Sequence, residues 1–139
     1  MRDIEFRGQC IDSGEWFYGY YFKGNNDDCH IISTKKNDIG LTQTIRVKTE
    51  TVGQYTGIPD AEKERIFEGD ICDYEYWIQT SVDPDSEGRQ FFGVGVVVFI
   101  DGAFMIEDVK TKLRVPFHYT ELTMTLRGNK TDNPELLEA

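Results

Sequence analysis

The chain has 139 residues, with 15 Lys and Arg against 25 Asp and Glu, a formal charge of −10 and a pI near 4.6. That length suits one domain or two very small lobes, and that charge excludes the basic footprint by which proteins hold nucleic acid. Aromatic residues at 13% are too plentiful for a disordered chain and can furnish a modest core.

Residues 4–11 and 15–22 are two extended runs around Asp12-Ser13-Gly14, which reads as a β-hairpin. The second run is dense in aromatics. Trp16, Tyr18, Tyr20 and Phe22 alternate on one face, with Phe17 and Tyr21 opposite. Apolar residues on both faces must be covered twice, by another lobe or another subunit, so Trp16, Tyr18, Tyr20 and Tyr21 are the candidate interface of a homo-oligomer. A polar loop, 24–29, leads to short strands at 30–33 and 44–47, and 52–56 is a further short strand or turn entry.

Residues 57–64 (GIPDAEKE) read as an exposed linker between two lobes, 1–64 and 65–139. Strands are expected at 71–78, 91–100, 103–107, 113–117 and 122–126, with a loop over 80–88 tipped by Asp83-Pro84-Asp85. Asp101-Gly102 between two apolar runs is a strong hairpin signal, because both turn residues must tolerate positive φ. Gly93 and Gly95 inside a strand suggest a bulge or bend. Asp132-Asn133-Pro134 caps a short helical tail. The fold class is therefore all-β.

The chemistry-bearing residues are sparse. Glu68, Gly69, Asp70 and Asp73 gather three carboxylates that could hold Mg²⁺, but a strand entry there makes Asp70 an acceptor for turn amides. Cys10, Cys29, Cys72, His30 and His118 include zinc-capable ligands without a tight pair such as C-x₂-C, so no metal or cofactor is expected. Gly53, Tyr55 and Gly57 in VGQYTG lack the Lys and Ser/Thr of a phosphate loop and read as turn glycines about a packed tyrosine. Three cysteines form no even framework, the opening has no apolar leader, and no run nears 18 apolar residues. Together these predict a cytosolic protein with free thiols and no membrane partner.

Three stretches carry a resemblance: ETVGQYTG at 50–57, IFEGDI at 66–71 and NPELLE at 133–138. With Ile4-Glu5-Phe6-Arg7 and the turn Gly14-Glu15-Trp16-Phe17-Tyr18-Gly19, they resemble the YopX family in order and spacing along nearly the whole chain. The resemblance implies a phage- or prophage-borne protein of the bacterial cytosol whose C-terminal lobe is an SH3-like β-roll, after an N-terminal β-ribbon-like lobe. It brings no catalytic residue. The expected function is a non-enzymatic, self-associating interaction module with an unknown protein partner and no direct contact with nucleic acid. Two rivals remain. One is an acidic decoy for a host nucleic-acid-binding protein, resting on the charge of residues 51–139 (8 basic, 17 acidic, −9). The other is a metal-dependent enzyme using Glu68, Asp70 and Asp73.

Overall fold

The computed structural model describes residues 3–79, 88–119 and 121–138; the expected loop tip at Asp83-Pro84-Asp85 lies outside the described residues. The architecture is all-β, built from antiparallel strands and two 3₁₀ turns, Thr49–Thr51 and Pro134–Glu138. Among the described residues no helix is long and apolar enough to cross a membrane. The chain forms two compact units, residues 1–58 and 59–139. The division falls inside the 57–64 stretch rather than at its end, because Asp60 is hydrogen-bonded into the second unit.

The first unit contains β1 (Phe6–Gln9), β2 (Trp16–Lys23), β3 (Cys29–Ser33), β4 (Thr44–Val47) and β5 (Gly53–Pro59), ordered β4-β3-β2-β1-β5. β1 and β2 are the expected hairpin, with Gln9 opposite Trp16 and Phe6 opposite Gly19. The unit is more closed than a ribbon. β5 pairs with the first half of β1, at Phe6 and Arg7. The end of β4 curls round to the second half: Cys10 bridges Val47, the Lys48 amide donates to the Gln9 carbonyl (2.9 Å), and the Ile11 amide donates to the Arg46 carbonyl (3.1 Å). Gly8 permits the approach, since a Cβ there would stand 2.7 Å from a Val47 methyl. Four strands thus wrap one small core of Cys29, Ile31 and Val47, flanked by Phe6, Phe17, Tyr21, Ile45 and Val52.

The second unit holds β6 (Arg65–Phe67), β7 (Asp70–Ile78), β8 (Arg89–Ile100), β9 (Ala103–Asp108), β10 (Arg114–Pro116) and β11 (Thr123–Asn129). Its five-stranded sheet runs β10-β9-β8-β7-β11. One face buries Cys72, Tyr74, Val97, Ile106, Val115 and Met124, with Ile66 against them. The β8–β9 turn is Asp101-Gly102, at φ 53° and 81°, the doubly left-handed pair that a two-residue hairpin needs.

Gly93 and Gly95 do not mark a bulge, because β7 and β8 stay in regular register through both. They clear space instead. A Cβ at Gly93 would meet Asp108 Oδ2 at 2.5 Å, and one at Gly95 would meet the Ile106 side chain at 2.5 Å. The irregularity lies on β11, between Leu126 and Gly128.

The buried carboxylates of this unit anchor its turns. Asp108 accepts from the Tyr74 hydroxyl (2.5 Å) and from the amides of Lys110 and Thr111 (2.8 and 2.9 Å). Burial opposes the charge of Asp108, but these donors prevail and hold its pKa below the ordinary carboxyl value. Burial, then the Asp108 carboxylate, pushes the Tyr74 hydroxyl upward. Asp60 accepts from Glu62 and Glu64 amides through one oxygen and from the Leu126 amide through the other. It too is depressed: the three amides outweigh the burial penalty.

Candidate interaction face

The period-two geometry of a strand decides where the β2 aromatics go. Phe17 and Tyr21 point inward against Cys29, Ile31 and Val47. The Tyr21 hydroxyl lies 3.5 Å from Cys29 Sγ, and that hydrogen bond, with burial, raises its pKa. Tyr21 therefore leaves the interface set expected from the sequence. Curling of the sheet covers this face from within the chain, which removes one of the two covers the sequence seemed to need.

Trp16, Tyr18, Tyr20 and Phe22 point outward. Tyr20 is 64% exposed, Tyr18 38% and Phe22 40%. Register extends the row sideways: Arg7 lies opposite Tyr18 on β1, while Ile32 and His30 lie opposite Tyr20 and Phe22 on β3. The Arg7 guanidinium sits over the Trp16 ring at 4.9 Å, and Phe22 stacks on His30 with centroids 4.8 Å apart and planes 8° apart. Both contacts fix the orientation of the exposed rings. At the Trp16–Tyr18 end the face opens into a hollow of about 440 Å³, rimmed by Glu15, Thr34, Lys35, Lys36 and Asp38. Beyond it, a loop turns on Asn37, whose Oδ1 accepts the amides of Ile39 and Leu41 and holds both side chains out to solvent. In the sequence this loop is marked by the turn residues Asn37, Asp38 and Gly40, with Ile39 and Leu41 as the apolar signal among them.

The remaining sequence candidates have structural places. Gly53 lies opposite Arg7 in the β1–β5 pairing, the Tyr55 amide donates to the Glu5 carbonyl (2.7 Å), and Gly57 has a left-handed φ of 84°. Gly69, at φ 91°, makes the turn into β7. Its amide donates to the Val97 carbonyl and its carbonyl accepts from the Lys130 amide, both at 2.9 Å. Asp70 is 2% exposed and accepts the Phe67 amide at 2.7 Å, the turn-anchoring role expected of it. Asp73 is three residues on and so on the opposite face of β7, where it meets Arg127 at 3.6 Å. Glu68 is half-buried in the turn.

The carboxylates are thus dispersed, and among the described residues no three of His, Cys, Asp and Glu stand together as a ligand set. The three cysteines are free thiols. Cys72 is pushed up to about 12 by burial, with Asp70 adding to the shift, whereas a hydrogen bond with the Ser13 side chain lowers Cys10.

Comparison with known proteins gives three findings. No curated protein matches the chain. A solved structure, protein EF1440 from Enterococcus faecalis, aligns over 99% of both chains with a TM-score of 0.55 at 18% identity, which shows a shared fold. The family model described as YopX protein matches residues 5–138. That match spans nearly every element described above, and the chain belongs to the YopX family.

Proposed function

We propose that the protein is a non-enzymatic interaction module that associates with copies of itself through the outer face of β2. The observation that carries this reading is the exposed row of Tyr18, Tyr20 and Phe22, on a strand whose inner face is already filled by its own core. Tyrosine and tryptophan offer large contact area at low entropic cost, and such rows are enriched at interfaces. The charge distribution favours a second copy as occupant. Residues 1–58 carry 7 basic and 8 acidic side chains, a net −1, whereas residues 59–139 carry 8 and 17, a net −9. Two copies can meet through the first unit with little repulsion; the second units repel each other.

Sedimentation at micromolar concentration tests the proposal. The expected result is an oligomer that Tyr20→Asp dissociates with its circular dichroism unchanged. Tyr21→Asp should instead unfold the first unit, because it places a carboxylate inside the core. A single species at monomer mass, unchanged on dilution, counts decisively against self-association.

A further inference from the structure

The second unit has a binding surface of a different chemistry. On the outer face of its sheet, Asp73 and Glu75 project from β7 between two flanking rows. Phe92 and Val94 of β8 lie on one side, in register with Glu75 and Asp73; Thr123 and Thr125 of β11 lie on the other. Together they line a hollow of about 440 Å³. Phe92 is 80% exposed, the most exposed aromatic side chain among the described residues.

We infer that this face binds an extended polypeptide segment carrying lysine or arginine at alternate positions. Three observations support that occupant. The first is charge: the unit carries −9, and the two outward β7 side chains that line the hollow are both carboxylates. Phosphates and acidic segments are repelled there, while cations are drawn in. The second is spacing. Asp73 and Glu75 are two residues apart on one strand, a rise of roughly 6.8 Å. Alternate side chains of an extended partner have the same spacing, so two successive outward cations meet both carboxylates. The third is the lining. Phe92 and Val94 receive the aliphatic stems of such side chains, the Phe92 ring attracts a cation, and the threonine hydroxyls accept its remaining N–H groups.

The chain itself shows that a guanidinium reaches this lining, with Arg127 3.6 Å from Asp73. That pair is loose, with both side chains about half exposed, and among the described residues Glu75 accepts from the exposed Gln90 side-chain amide. An incoming cation displaces both at little cost.

This surface lies in the second unit, so the inference stands apart from self-association through the first. The test is a fluorescence-anisotropy titration of the full chain with a labelled octapeptide of alternating lysine and alanine. Asp73→Asn with Glu75→Gln should raise the Kd roughly fivefold or more, and Phe92→Ala should raise it severalfold. Both positions are exposed, so an unchanged thermal midpoint verifies folding. The control is Asp101→Asn with Glu135→Gln, which changes the net charge equally at exposed sites outside the lining of the hollow. That control should alter the Kd by less than about twofold. Equal weakening by both pairs overturns the inference, because it reduces the effect to net charge. Absence of saturable binding at 0.1 M salt overturns it as well.

Discussion

Removal of the Asp60 carboxylate should destabilise the second unit by about 2–5 kcal/mol. The group is 7% exposed and accepts three backbone amides, from Glu62 (2.9 Å), Glu64 (2.8 Å) and Leu126 (2.9 Å). In Asp60→Ala the Leu126 amide, part-buried on β11, loses its acceptor, at a cost of about 1–3 kcal/mol. The amides of Glu62 and Glu64 lie in an exposed turn and regain water, so each adds only about 0.5–1 kcal/mol. With a urea slope of about 2 kcal/mol/M, the midpoint should fall by about 1–2.5 M. Amide exchange at Leu126 should accelerate in step, which localises the loss. Asp60→Asn is the finer probe. Both oxygens accept, so either orientation of the amide points an N–H at a backbone N–H, and about 1–2 kcal/mol should be lost. An Asp60→Ala midpoint within about 0.2 M of the parent refutes the reasoning.

Gly102→Val should cost about 1–3 kcal/mol in a urea titration, because a β-branched residue is forced to φ 81°. Gly93→Ala should also destabilise, by about 1–3 kcal/mol, since its Cβ meets Asp108 Oδ2 at 2.5 Å and breaks the bond from Tyr74; loss of the tyrosine's buried ultraviolet signature reports it. Acid should weaken the second unit through Asp60 and Asp108. Both carboxyls are depressed in the folded state, so their stabilisation is complete above the ordinary carboxyl value near 4 and is lost as pH falls below it. Asp60→Ala should flatten that acid limb of thermal stability; an unaltered limb contradicts the assignment.

Much of the strand pattern was readable because burial follows period two. Residues 30–33 and 44–47 became Cys29–Ser33 and Thr44–Val47, and the Asp101-Gly102 turn has the positive φ values its residue types demand. Local patterns also gave Asp70 its turn-anchoring role. Non-local contacts were not legible. Nothing near Gln9 shows that it meets Lys48, so the curl of the first sheet was missed, and with it the inward fate of Tyr21. Gly93 read as a bulge or bend, and the space it clears was not legible because its neighbour, Asp108, is fifteen residues away in sequence. Asp60 looked like part of an exposed linker because one of its three donors comes from Leu126. The Asx-turn half of that anchor, Asp60 with Glu62 and Glu64, was present in the sequence as Asp-Ala-Glu-Lys-Glu.

The curl of the first sheet sets an order of assembly. β1–β2, β2–β3 and β3–β4 join neighbours in sequence, and each closes only a short loop. The seam between β1 and β4 spans 39 residues from Gln9 to Lys48 and rests on few bonds. It closes after the three hairpins and opens before them, so the Ile11 and Lys48 amides exchange ahead of those in the hairpins. β2 is not one of the two strands the seam joins, and its ladders to β1 and β3 are separate from it. The small ring can therefore breathe along one line while the wall bearing Tyr18, Tyr20 and Phe22 keeps its shape, presenting a rigid aromatic face on a unit that is otherwise free to open.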